Sequence, residues 1–215
     1  MPASRVNRRA LAAILLIGVS SGCGGLDQAN AAGVTPGDLV SEVATRLATP
    51  GPAYTATYRV AGGDTAHVTR SLTPDRTAYD YPGGRLIRTP AAVTSCTPDV
   101  CTATDPGDAV TLPETSGLVT DARVVALLEA AALDSYPEVT QRDTTLAGRN
   151  ATCLAITGVE RAEMSSFDVC VTVEGTLAGF RGDGIDVVLT EYAPTAEERD
   201  FTVPPGARLV DRRSK

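Results

Sequence analysis

Thr152-Cys-Leu-Ala-Ile-Thr-Gly158 and Phe167-Asp-Val-Cys-Val-Thr-Val173 decide the fold, because one antiparallel register between them satisfies two independent constraints. With Cys153 opposite Cys170, Leu154 falls opposite Val169 and Ile156 opposite Phe167, so four apolar side chains share one surface with Val171 beside them. The other surface receives Ala155, Thr157, Asp168 and Thr172 with the two Cys, and reads as the solvent side. A slip of one residue would break both the bridge and the pattern. The stretch is a disulfide-stapled hairpin of an antiparallel sheet.

Segments of the same kind repeat outward from it. Tyr54, Ala56, Tyr58 and Val60 alternate onto one face, Gly62-Gly63-Asp64 turns, and Ala66, Val68 and Leu72 continue that face. Further strands are expected over 77–81, 84–89, 91–96 and 100–104, then over 139–146, 177–181 and 185–192, with Phe201-Thr-Val-Pro-Pro-Gly-Ala closing the domain. Two helices interrupt the series. Thr35 caps the first and Pro36 opens it, Leu39, Val43, Ala44 and Leu47 form its stripe, and Pro50-Gly51-Pro52 ends it. A loop over 105–117 leads to the second, capped at Thr120-Asp121 and running to about Leu133; Val124, Val125, Leu127, Leu128, Ala131 and Ala132 make it apolar nearly all round, except at Arg123 and Glu129. A helix so apolar must be covered. The expected fold is α+β and mostly β: a large curved antiparallel sheet, an unclosed barrel of about ten strands, with two helices on its concave side. Periodicity leaves open whether the helices fill that side or leave a cavity.

The 215 residues, 43% apolar and 21% charged, suit one globular domain. Acidic side chains number 26 against 19 basic ones, and the first 22 residues hold Arg5, Arg8 and Arg9 without an acid, so the remainder is more acidic still. Such a chain repels DNA and RNA, whose phosphates are held by clustered Lys and Arg. Lys215 is the only Lys, and heavy use of Ala, Gly, Thr, Val and Asp points to a GC-rich, actinobacterial type of genome. With no Trp and few aromatics, stacking on sugar rings is weakly supported.

At the amino terminus Arg5, Arg8 and Arg9 precede an apolar run over 10–19, then Ser20, Ser21, Gly22 and Cys23. This is the order of a secretory signal. The run is about half of the roughly 20 residues a membrane span needs, so it reads as a signal segment rather than a permanent helix. Cys23 after Ser-Ser-Gly resembles the bacterial lipoprotein lipobox, in which the Cys is acylated and becomes the first mature residue; Ser20 stands where that pattern prefers Leu. The other reading is a secreted protein with an incidental Cys. The expected organisation is a lipoprotein signal peptide over 1–22, a lipidated flexible tether over 23–34, a β domain over 35–210 and a polar tail over 211–215. The chain is expected to be exported and lipid-anchored to the outer face of the cell membrane.

With Cys23 assigned to lipid, Cys96, Cys101, Cys153 and Cys170 remain as an even set in an oxidising compartment. Three pairings exist in principle. Cys96-Thr-Pro-Asp-Val-Cys101 favours a local bridge around a Pro98-Asp99 turn, which leaves Cys153 for Cys170. A zinc site would need tight Cys pairs or a second His, so no metal is expected. The sole His, His67, lies on the Thr65, His67, Thr69 face of a strand, and no Gly-x-Ser-x-Gly elbow accompanies it. No enzyme chemistry and no cofactor are expected. Arg181-Gly-Asp-Gly-Ile-Asp186 and Asp105-Pro-Gly-Asp108 read as turns, Glu197-Glu-Arg-Asp200 as a solvated cluster before the last strand, and Asn150-Ala-Thr152 as a glycosylation sequon in form only.

The lipobox at Cys23, the opening helix, the Tyr54-Thr-Ala-Thr-Tyr58 strand, Leu72-Thr-Pro-Asp-Arg76 and the closing Phe201-Thr-Val-Pro-Pro-Gly206 together resemble the lipoprotein-carrier superfamily (LolA/LolB-like) and its actinobacterial glycolipid-binding lipoproteins. The two disulfide hairpins depart from the general pattern of that superfamily. The resemblance implies an unclosed barrel whose helices cross its mouth over an apolar cavity, and a protein that carries or presents acyl chains of a lipid, glycolipid or lipoprotein without covalent chemistry. Val124, Val125, Leu127, Leu128 and Ala131 are the candidate lining, and solid core packing is their other role. The competing function is a non-enzymatic envelope interaction or sensor lipoprotein with a solid core that binds a protein partner.

Overall fold

Thr35 starts the first helix, α1 (Pro36–Ala48), through a reciprocal box: its hydroxyl accepts from the Asp38 N–H and its own N–H donates to Asp38 Oδ2 at 2.9 Å. Val40, Val43, Ala44 and Leu47 form the buried stripe of α1. The computed structural model describes residues 35–107, 110–160 and 162–214, so the signal segment, Cys23 and the whole tether, together with Asp108, lie outside the described residues. Thr120 likewise caps α2 (Asp121–Leu133) by accepting from the Arg123 N–H.

The strands form a single twelve-membered sheet that does not close into a barrel. They are β1 (Ala53–Arg59), β2 (Thr65–Leu72), β3 (Asp75–Tyr81), β4 (Gly84–Thr89), β5 (Ala92–Cys96), β6 (Val100–Thr104), β7 (Glu138–Leu146), β8 (Arg149–Thr157), β9 (Ser166–Thr172), β10 (Leu177–Gly182), β11 (Ile185–Ala193) and β12 (Arg208–Asp211). Their order is β12-β6-β5-β4-β3-β2-β1-β11-β10-β9-β8-β7. Two meanders meet where β1 pairs with β11, and β7 and β12 are the open edges. Every pairing is antiparallel except β12 with β6, which is parallel.

The register read from the two Cys-bearing segments is the observed one, with Cys153 opposite Cys170, Leu154 opposite Val169 and Ile156 opposite Phe167. Both expected bridges form, Cys96–Cys101 and Cys153–Cys170. The disulfide face of that hairpin differs from the solvent side expected of it. Ala155, Thr157 and Asp168 are exposed, but Cys153, Cys170 and Thr172 are buried. Arg142 of β7 lies directly opposite Cys153. Thr172 is locked in the β9–β10 turn, where its hydroxyl accepts from the Thr176 N–H at 3.1 Å.

The carboxyl end also departs from expectation. Phe201 does not begin a strand; it ends a 3₁₀ turn (Glu198–Phe201) and packs with Ala78 and Ile87 on the outward face of β3 and β4. Arg76 stacks its guanidinium 4.3 Å from the Phe201 ring and pairs with Glu198. The twelfth strand comes from residues 208–211, beyond the Pro204-Pro205-Gly206 bend, and so takes in the start of the expected polar tail. Its parallel pairing is invisible to hairpin logic, because no short turn joins β12 to β6. Leu72 shares the face of Ala66 and Val68 but is 39% exposed, at the end of β2.

Candidate functional site

Both helices lie on the half-sheet formed by β8, β9 and β10. Val40, Val43 and Leu47 of α1 and Val124, Leu127, Leu128 and Ala131 of α2 share one buried cluster with Leu154, Ile156, Phe167, Val169, Val171, Leu177 and Phe180. The candidate lining residues are thus brought together: four of the five are buried, with Val124, Leu128 and Ala131 fully so, and Val125 is partly buried against the same cluster. None of them lines either of the clefts that adjoin α2.

The rest of the inward face is covered by the loop before α2. Val110, Leu112 and Leu118 pack against Tyr54, Ala56, Tyr58, Val68, Tyr79, Leu86 and Val93. Gly117, at φ +66, makes this possible: a Cβ there would come within 2.9 Å of Val60 Cβ. The Tyr58 hydroxyl reaches across β11 to donate to the Leu177 carbonyl at 2.8 Å, so its polar end is satisfied although the ring is buried. Burial pushes the Tyr54, Tyr58 and Tyr79 hydroxyls above the ordinary phenol range, so all three remain protonated donors at neutral pH.

A polar junction ties the start of α2 to this face. Asp121 Oδ2 accepts from Arg70 of β2 at 3.3 Å and from the Tyr54 hydroxyl at 3.5 Å. Burial raises the Asp121 carboxyl above its ordinary range, against the pull of Arg70 and of the Tyr54 hydrogen bond. The bonds are long for a charged pair, while burial makes the junction costly to break one-sidedly. Sequence reasoning missed it. The available signal was Arg70 itself, a charge on the period-2 face of Ala66 and Val68; its partner, 51 residues away, carried none.

Two clefts adjoin α2. One, of about 500 Å³, is walled by Ala61, Leu112, Glu114, Thr115, Arg123 and Asp183 at the β10–β11 turn, and its Arg123 is engaged by Glu163 at 2.6 Å. The other, of about 430 Å³ and mainly apolar, runs on the outward side of the helix pair between Ala44, Thr45 and Ala48 of α1 and Glu129, Ala132 and Leu133 of α2. At its end Leu133 and Tyr136 project, each 86% exposed.

The other singled-out motifs take structural places. His67 is exposed on β2, its Nδ1 3.2 Å from the Thr57 hydroxyl. Asp183 and Gly184 both have positive φ and form the two-residue turn of the β10–β11 hairpin, flanked by the Arg181–Asp186 ion pair. Glu197 and Asp200 cap their 3₁₀ turn reciprocally, so that cluster is a capping device as well as a solvated one. Among the described residues no three of His, Cys, Asp and Glu gather as a metal-binding group, and no helix is long and apolar enough to cross a membrane.

The fold and site define an open, mostly antiparallel β-sheet with an apolar helix pair clamped to one half of its inward face. No protein-family model matches the chain, and no curated protein matches it.

Proposed function

We propose that the protein is a membrane-anchored extracytoplasmic lipoprotein that takes up acyl chains between α2 and the sheet, the closed form being the one described above. One observation carries the reading: α2 lays Val124, Leu127, Leu128 and Ala131 over an aliphatic and aromatic half-sheet, while its start is held by a long-bonded junction to Arg70 and Tyr54 and by the more exposed Arg123–Glu163 pair. Moving α2 off the sheet would expose a trough that an acyl chain could refill. A ligand of matching apolar area returns about 25 cal/mol per Å² of what the helix gives up. The anchor at Cys23, the signal segment before it and the affinity with lipoprotein carriers belong to the same proposal. The head group it selects would be read at the mouth of the trough, beside Asp121 and Arg70.

The competing reading is an envelope lipoprotein with a solid core that binds a protein partner. It is favoured by the complete burial of Val124, Leu128 and Ala131 in the closed form.

Native mass spectrometry with lipid extraction separates the two, applied to the full chain expressed in a bacterium that processes lipoproteins. A carrier releases non-covalent lipid at near one equivalent, and Asp121→Asn, which loosens the junction, speeds its exchange. Protein that is empty as isolated, refuses added phospholipid and glycolipid, and is unaltered in this by Asp121→Asn would end the carrier reading.

A further inference from the structure

The end of α2, from which Leu133 and Tyr136 project, lies beside the first turn of α1. The two helices run antiparallel, and a Cβ at Gly37, in the first turn of α1, would stand 3.3 Å from the Ala132 carbonyl oxygen in the last turn of α2. Leu133 is the next residue. The link beyond it is fastened through the Asp134 carboxylate, whose Oδ1 accepts from the Tyr136 N–H at 3.3 Å and whose Oδ2 accepts from the Glu160 N–H at 2.8 Å. Two large side chains are thus presented, each 86% exposed, by a turn that does not need them for its own structure.

We propose that this tip, Leu133 with Tyr136 and the apolar groove leading to it, docks on the surface of the bilayer to which the chain is anchored, inserting both side chains at the level of the lipid head groups. The inference rests on the anchored-lipoprotein reading above. Twelve peptide units separate Cys23 from Thr35, a contour of at most about 40 Å. An acylated Cys23 therefore holds the first turn of α1, and the tip beside it, within one small-domain diameter of the membrane. Confinement of that kind raises the local lipid concentration, so a contact too weak to recruit a free protein suffices to orient an anchored one. Tyr, with an apolar ring and a polar end, suits the interface between head groups and acyl chains.

The charges around the tip specify the lipid. Asp38, Glu129 and Glu138 are exposed on the elements that meet here, Asp134 lies in the link with Glu160 of the β8–β9 loop against it, and Arg46 is taken by Glu42 near the far end of α1. An acidic rim makes the contact apolar rather than electrostatic. Neutral lipid is the preferred surface, and anionic lipid weakens the contact.

The chain contains no Trp, so one substitution installs a sole reporter. Full-length acylated protein carrying Tyr136→Trp, and separately Leu133→Trp, is reconstituted in phosphatidylcholine vesicles with and without bromine on the acyl chains. Leu209→Trp, on the half-exposed β12 edge, is the control. The expected result is blue-shifted emission from both tip reporters, quenched by the brominated lipid and reversed as phosphatidylglycerol is added, with the Leu209→Trp emission red and unquenched. If the protein floats with the vesicles while the tip reporters stay red and unquenched, the anchor stands and the docking is overturned. Blue emission that bromine cannot quench shows a second copy covering the tip, and also overturns it. Protein that fails to float removes the anchor, and the docking falls with it.

Discussion

Leu128→Ala asks most directly how tightly α2 is packed. Leu128 is fully buried among residues of α1, α2 and the half-sheet. Truncation removes three carbons, worth about 2.4 kcal/mol at about 0.8 kcal/mol each. A residual cavity adds to this, since both helices are tied at their ends and cannot simply collapse, so a loss of about 3–4 kcal/mol is expected, within the roughly 2–5 kcal/mol usual for such changes. For a domain of this length that lowers Tm by about 10 °C. Urea unfolding followed by tyrosine circular dichroism measures it, with Val125→Ala, at a partly buried site on the same helix, losing about 1 kcal/mol or less. A Leu128→Ala loss below about 1 kcal/mol, with an unchanged m value, would refute the packing argument. It would mean that the side chain borders a void or a mobile contact.

Reducing the two bridges separately, by paired Cys→Ser substitution, should destabilise unequally: Cys153–Cys170 spans 17 residues and Cys96–Cys101 only 5, which in the chain-entropy account is about 3 against about 2 kcal/mol. Equal losses in denaturant titrations would show that native packing of the sulfurs dominates. Gly175→Ala meets both a φ of +81 and the backbone of Pro50 at 2.9 Å, so it should cost more than Gly63→Ala, whose φ is +89 but which has open space around it. The expected costs are more than about 2 against about 1 kcal/mol, and a reversed order by thermal unfolding would contradict the fit of the β9–β10 turn beneath the end of α1. In a carboxyl-detected NMR titration Asp211, held down to about 2 by Arg213, should ionise well below Asp121, which burial raises above 3.8. Because the folded pKa of Asp121 is the higher one, its ionisation opposes folding: the penalty is complete above that folded value, shrinks as pH falls through it and is gone below the unfolded value near 3.9. Asp121→Asn removes that component from the pH-stability curve, and an unchanged curve would show that the carboxyl is not desolvated as described.

Local rules reached far into this molecule. Both helices were legible at their ends, because Thr35 and Thr120 are caps and the apolar stripes have the helical period. The β8–β9 register was legible for a stronger reason: the bridge and the alternation of Leu154, Ile156, Phe167 and Val169 had to agree, and only one register allows it. Consecutive strands joined by tight turns pair with their neighbours, so most of the sheet followed. The same period-2 reasoning could not see that a nominal solvent face is buried at Cys153 and Thr172, since that depends on what β7 and the β9–β10 turn place above it.

What tertiary structure alone decided are the contacts between residues far apart in the chain. The meeting of the two meanders at β1 and β11, and the parallel addition of β12 to β6, join segments whose pairing no local turn dictates. The Asp121–Arg70–Tyr54 junction and the cover of Val110, Leu112 and Leu118 over the tyrosines arise from the same folding back. The sequence determined that α2 is apolar nearly all round, except at Arg123 and Glu129, and must be covered. Only the packed structure decided which side chains are hidden and that Leu133, one residue past the covered stripe, is left in the open, because burial is set by which surfaces meet in space and not by the pattern of any one of them.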